Sequence, residues 1–215
     1  MAAKKIDNTI TQTKNSQATI SPSQAIDLLK EGNQRFVNKT RSTRDLISQV
    51  QDTTSGQYPF ATVLSCIDSR IPTEMVFDQG VGDLFNARVA GNFSNEDILG
   101  SLEFACKLAG SKVIVVMGHT SCGAVKGACD NAELGNLTQM LDKIQPAVKA
   151  VRTKPGEKRT SKNLSFVNRV AKKNVKLTIK DIKKNSPVLN EMCDNGDIDI
   201  VGAMYSVETG AVTFF

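Results

Sequence analysis

The spacing of apolar residues changes period along the chain, and each change marks an element. Residues 59–64 (PFATVL) and 113–116 (VIVV) are unbroken apolar runs of strand length, the pattern of strands buried on both faces. Residues 83–89 predict a further strand, after a short helix over residues 72–78 and a turn at Gly80 and Gly82. Helical spacing dominates the rest. Ser21, Pro22 and Gln24 form a capping-box start to a helix whose stripe is Ala25, Leu28, Leu29 and Phe36. Ser94 is the expected cap of a helix with Ile98, Leu102, Ala105 and Ala109 inward and Gly110 as its stop.

Further on, Leu137, Met140, Leu141, Ile144 and Val148 keep helical spacing, with Pro146 allowing a kink or break. RTKPGEKRTSK reads as a solvated loop. Leu164, Val167, Ala171, Val175, Ile179 and Ile182 form a stripe through a lysine-rich helix, and Ser186-Pro187 opens another that Gly196 closes. Residues 198–207 and 211–215 flank Glu208-Thr209-Gly210 as a hairpin. Strands alternating with helices imply an α/β fold: a mainly parallel central β-sheet flanked by helices, with an antiparallel C-terminal edge hairpin. Residues 1–20, rich in Asn, Thr, Gln and Lys, have the composition of a flexible N-terminal arm leading into the first helix, and residues 21–215 are expected to form one domain. A polar linker through QDTTSG leads to Gln57 and the first strand.

Length and charge narrow the function. The 215 residues, 40% of them hydrophobic, suffice for one sizeable core. A net charge of +5, with lysines spread along helices rather than clustered with aromatics, argues against a nucleic-acid partner. No run reaches the roughly 18 apolar residues of a membrane span, so no membrane partner is expected. The N-terminus has no apolar core of a signal peptide, which predicts a cytoplasmic protein, or a periplasmic one if a signal has been removed. Five cysteines are no disulfide framework; Cys106, Cys129 and Cys193 fall in helical stretches as core residues.

The other two cysteines carry the chemistry. The single histidine, His119, stands three residues before Cys122, where Gly118 and Gly123 punctuate a strand-to-helix turn. A helix N-terminus lowers a nearby thiol's pKa, and an imidazole with a thiolate suits a soft divalent metal. Cys66 ends the other apolar run and supplies a third donor. An isolated cysteine at a strand end is usually a small core residue. Its pairing with C-x-D-x-R and with the only histidine favours the metal. Two sulfurs and one nitrogen with a fourth position free is the catalytic pattern for zinc.

CIDSRIPTEMVFDQGVGDLFNARVAGN followed by GHTSCGAVKG resembles the β-class carbonic anhydrases, which carry C-x-D-x-R and H-x-x-C at this separation; the likeness runs over residues 21–215. The resemblance implies Zn2+ on Cys66, His119 and Cys122, and hydration of carbon dioxide to bicarbonate by hydroxide presented from the metal. Two thiolates neutralise the dication, so water should be acidified less than at a three-histidine site, and neighbouring groups must help. In the family Asp68 accepts a hydrogen bond from that hydroxide while Arg70 holds Asp68 off the metal. The resemblance also marks Gln57, Phe85 and Phe104 as pocket residues, some presented across a subunit interface. Phe104 stands where plant-type members have Tyr, which removes a hydroxyl. Val63 stands where the bicarbonate-inhibited bacterial type has Trp, so an open metal position is expected. Packing of the first helix on a neighbour implies a homodimer or higher assembly. Two rivals share these motifs: a hydrolase of carbon disulfide or carbonyl sulfide, and a non-catalytic zinc-stabilised assembly protein with Asp68 filling the fourth position.

Overall fold

The computed structural model of the protein describes Ile6, Asp7 and residues 9–215. Five strands, β1 (Ala61–Ser65), β2 (Leu84–Arg88), β3 (Val113–His119), β4 (Asp199–Tyr205) and β5 (Val212–Phe214), form one sheet in the order β2-β1-β3-β4-β5. The first three pairings are parallel, and β4–β5 is antiparallel. Both β1 and β3 are buried along their whole length. Alternation then sends their side chains to two cores. Val63, Val113, Val115 and Met117 join one with Leu29, Phe60 and Phe166; Leu64, Ile114 and Val116 join the other with Leu102, Ile182 and Leu189.

Helices cover both faces. α1 (Lys14–Ala18) and α2 (Pro22–Val37) open the chain, followed by α3 (Leu46–Asp52) and the single turn α4 (Thr73–Val76). α5 (Glu96–Glu103) runs on as a π-helical turn over Phe104–Leu108. Then come α6 (Gly123–Cys129), α7 (Gly135–Asp142), α8 (Gln145–Ala150), α9 (Leu164–Asn185) and α10 (Pro187–Asp194). Ser21 and Gln24 form the expected capping box of α2, and Ser186 caps α10.

Four details differ from the sequence reading. Residues 14–20 are not a bare arm: α1 carries its own capping box, and buried Gln17 donates from Nε2 to Pro59 O at 2.7 Å and Ala109 O at 2.8 Å. Residues 1–5 and 8 of the expected arm lie outside the described residues. α3 went unread because Leu46, Ile47 and Val50 are more than half exposed, so no inward stripe announces it. The cap of α5 is Asn95, whose side chain accepts from Ile98 N at 3.0 Å, rather than Ser94. The apolar spacing over residues 136–151 resolves into two helices, with Pro146 in the first turn of α8.

Strand order positions the site. The chain passes from β1 to β2 on one side, then crosses back past β1 to add β3 and β4 on the other. The connections thus diverge between β1 and β3, and ligands of open α/β sheets bind beyond the carboxyl ends of strands at such a point. Cys66 is the first residue after β1, and His119 is the last of β3.

Candidate metal centre

Each donor is held by local structure. Beyond β1 the chain turns at Asp68, with Ile71 N bonded to Asp68 O at 3.1 Å. Arg88, at the end of β2, donates from Nε to Cys66 O at 2.9 Å and from Nη2 to Asp68 O at 2.7 Å, fixing that turn from the neighbouring strand. The turn after β3 is tied to β4: Thr120 N donates to Tyr205 O at 2.9 Å, and Thr120 Oγ1 accepts from Val207 N at 3.0 Å. Ser121 takes a left-handed φ of 56°, unusual for a residue with a Cβ, and its N–H donates to Asn168 Oδ1 of α9 at 2.9 Å. Cys122 is then the N-cap residue of α6.

The result is a buried group of three donors. The ligating atoms of Cys66, His119 and Cys122 lie within 4.8 Å of one another, and the two sulfurs are 4.0 Å apart. Tetrahedral zinc with bonds of about 2.3 Å sets two sulfurs about 3.8 Å apart, so the residues fit that ion. His119 Nδ1 is 2.9 Å from Thr120 O, and a carbonyl can only accept, so the proton sits on Nδ1. Nε2 consequently turns its lone pair inward, buried and without a hydrogen-bond partner. An unmatched buried polar atom costs about 1–3 kcal/mol, a cost that a metal ion on this lone pair removes.

Electrostatics separate the two thiols. The Cys66 thiol is pulled down by a hydrogen bond from Cys122, against the effect of burial, with further help from the Gly91 amide. Cys122 is pushed up by that same hydrogen bond and by burial, and the α6 amides of Ala124 and Val125 only partly oppose this. Metal ligation requires both sulfurs as thiolates, so a dication bound here would displace their protons.

At the rim stands an ion pair. Arg70 donates from Nε to Asp68 Oδ1 at 2.9 Å and from Nη2 to Asp68 Oδ2 at 2.7 Å, a bidentate contact to which Arg70 N adds a third bond at 3.0 Å. Hydrogen bonds from Arg70 hold the Asp68 carboxyl well below the usual carboxylate range although burial opposes them. Asp68 Oδ2 comes within 3.9 Å of His119 Nε2. Tyr205 Oη, on the strand beside His119, donates to Arg70 O at 3.3 Å.

The expected pocket residues stand elsewhere in the chain. Gln57 is exposed on the N-terminal side of β1, the end away from Cys66. Phe85 and Phe104 meet edge to face, centroids 6.1 Å apart, and line a cleft of about 510 Å³ with Thr62, Asn86 and Glu96. None of the metal-group residues lines that cleft. Sequence reasoning missed Arg88, Asn168 and Asn174. The two asparagines adjoin the apolar stripe of α9 at Val167 and Val175, and a polar residue beside such a stripe was the available signal.

Fold and site together define a mainly parallel α/β metalloprotein with a two-thiol, one-imidazole centre at its strand ends. The family model described as carbonic anhydrase matches residues 61–212. Carbonic anhydrase 2 of Mycobacterium tuberculosis is 32% identical over 196 residues, covering 88% of this chain and 91% of that protein. A carbonic anhydrase of Mycolicibacterium smegmatis is 34% identical over 198 residues, covering 89% and 92%. Among solved structures, the β-carbonic anhydrase CafA of Aspergillus fumigatus superposes with a TM-score of 0.66 at 26% identity, covering 90% of this chain and 89% of that one. A tetrameric β-carbonic anhydrase of Sordaria macrospora shares the fold, with a TM-score of 0.67 at 22% identity, covering 77% and 85%. The chain belongs to the β-carbonic anhydrase family.

Proposed function

We propose that this protein is a zinc carbonic anhydrase that interconverts carbon dioxide and bicarbonate, with Cys66, His119 and Cys122 as the ligands. The observation that carries the reading is the inward, partnerless Nε2 of His119 facing two thiol sulfurs, with an ionised carboxylate at the rim. Zinc, when bound there, supplies Lewis-acid activation of water toward a small electrophile. Asp68, kept anionic by Arg70, accepts the hydrogen bond that orients the attacking oxygen. Arg70 keeps both carboxylate oxygens engaged, which supports an open fourth metal position rather than one filled by Asp68. His119 Nδ1 keeps its proton on Thr120 O and so fixes the ring.

The catalytic unit is a dimer or a higher assembly. Strand β2 is a sheet edge, and Phe104 is 49% exposed beside Phe85. Such a surface suits a neighbouring subunit that receives Gln57, Phe85 and Phe104 as part of its own substrate pocket. A reducing compartment such as the cytoplasm suits the free cysteines among the described residues.

Stopped-flow measurement of carbon dioxide hydration on zinc-loaded protein tests the activity. Rapid turnover that disappears together with zinc in Cys66→Ser, His119→Ala and Cys122→Ser is expected. Turnover that persists in a variant without zinc sinks the assignment.

A further inference from the structure

Helix α9 reaches the metal centre at a second place, on the Cys66 side. Asn174 is 3% exposed, and its Nδ2 donates to Gly91 O at 2.7 Å. The Gly91 N–H in turn donates to Cys66 Sγ at 3.4 Å. Gly91 is therefore held on both sides of its Cα: its carbonyl, in the peptide with Asn92, accepts from the helix side chain, and its N–H, in the peptide with Ala90, donates to the thiol sulfur. Only glycine fits this position: φ is +81°, and a Cβ would stand 2.4 Å from Ile144 Cδ1. The close seat of α9 on the sheet appears again at Gly118, where a Cβ would stand 2.8 Å from Val175 Cγ2.

We propose that Asn174 is a positioning residue of the metal centre, anchoring Gly91 by its carbonyl so that the N–H of the same residue reaches the Cys66 sulfur. The inference rests on the reading of Cys66 as a metal ligand. A thiolate that accepts an N–H bond gives up part of its charge to that bond and donates less to the metal. With two thiolates on one dication, such withdrawal raises the Lewis acidity that the ligand set otherwise reduces. The carbonyl and the N–H of Gly91 belong to successive peptide units joined at its Cα, so Asn174 acts by geometry: anchoring the carbonyl limits the rotations at this glycine that would take the N–H out of line with the sulfur. The shell of this sulfur is thus built from a loop glycine and a helix asparagine far apart in sequence.

Two metal probes test it. In cadmium-113-loaded parent protein, the Gly91 amide proton should show scalar coupling to the metal through the N–H···S bond. In cobalt(II)-loaded Asn174→Leu, that bond is weakened, so the sulfur keeps more charge and the sulfur-to-cobalt charge-transfer band should move to lower energy. Asn174→Ala provides the same comparison should the leucine variant not fold. Asn33→Ala is the control for general loosening, because buried Asn33 bonds Val76 O, Gly210 O and Val212 N, none of them at the metal centre. Its cobalt band should match the parent's. A parent without cadmium coupling at Gly91 overturns the proposal, as does an unmoved cobalt band in both Asn174 variants or an equal shift in Asn33→Ala. A parent with no thiolate-to-cobalt band at all overturns instead the metal reading on which the proposal stands.

Discussion

On the proposed reading Asp68 can serve the reaction or block it, and its ion pair with Arg70 is what would decide which. The carboxylate lies two residues from a metal ligand, and Oδ2 is 3.9 Å from the imidazole nitrogen that faces the metal. Breaking the bidentate contact frees an anion beside a Lewis acid. We expect Arg70→Ala to fold and keep zinc but lose hydratase activity, with Asp68 as fourth ligand by X-ray absorption; parental activity in that variant would show that the pair does not gate the site. The lone histidine sets a second limit. With Nε2 of His119 directed at the metal and Nδ1 held by Thr120 O, no imidazole remains to export protons. Turnover should therefore climb with buffer concentration before it saturates, and a rate indifferent to buffer at low concentration would contradict this. These residues were legible in the sequence because their chemistry is short-range: C-x-D-x-R and H-x-x-C place their partners within one turn. Arg88, Gly91 and Asn174 were not legible as site residues, since their roles depend on which strand and helix come to lie beside Cys66.

Among the elements, the strands were readable where burial is two-sided. Unbroken runs such as Val113 to Val116 leave no other economical conformation once helices cover both faces. Helices facing solvent on their apolar side, like α3, give no comparable signal. The loop before β2 holds a further consequence of burial. Asp83 is fully buried; Oδ2 accepts from Gly80 N at 2.7 Å, and Oδ1 has no partner. Burial raises its pKa from 3.8 to about 6, against the Gly80 hydrogen bond and the Arg44 charge. A raised carboxyl pKa means that the folded state holds the proton more tightly. Its contribution to stability is complete below about pH 4 and is lost as pH rises through about 6. Between those limits the stability of Asp83→Asn relative to the parent should improve by about 3 kcal/mol, at 1.36 kcal/mol per pKa unit. Urea titrations at pH 4 and pH 7 measure the change, and a constant difference would place the titrating group elsewhere.

For the whole molecule, alternation of strands and helices announced a parallel sheet but left its order open. Strand order depends on which way each connection crosses, and the divergence between β1 and β3, where Cys66 and His119 meet, is a property of the completed sheet. Asp78 illustrates the same dependence. Fully buried, it accepts from Arg35 Nε at 2.5 Å, Arg44 Nη1 at 2.9 Å and Ser42 N at 3.1 Å, joining α2 and the segment after it to the end of α4. Burial pushes its carboxyl up, but the bonds from Arg35 and Ser42 and the charge of Arg44 hold it below the ordinary value.

The pins on the metal turns have a bearing on biosynthesis. All three donors are translated by residue 122, yet the turn after β3 is fixed by Asn168, Tyr205 and Val207, and the Cys66 side by Asn174. At about 5–20 residues per second, the ribosome needs roughly 4–17 s more to reach Val207. A nascent chain in that interval exposes two thiols and an imidazole without the frame that sets their geometry. Metal capture should accordingly wait for release of the C-terminal strands. Stalled chains ending near residue 150 should take up zinc far more weakly than stalled full-length chains, both extended by the same tunnel-spanning linker, and equal uptake would show that the donors assemble without their frame.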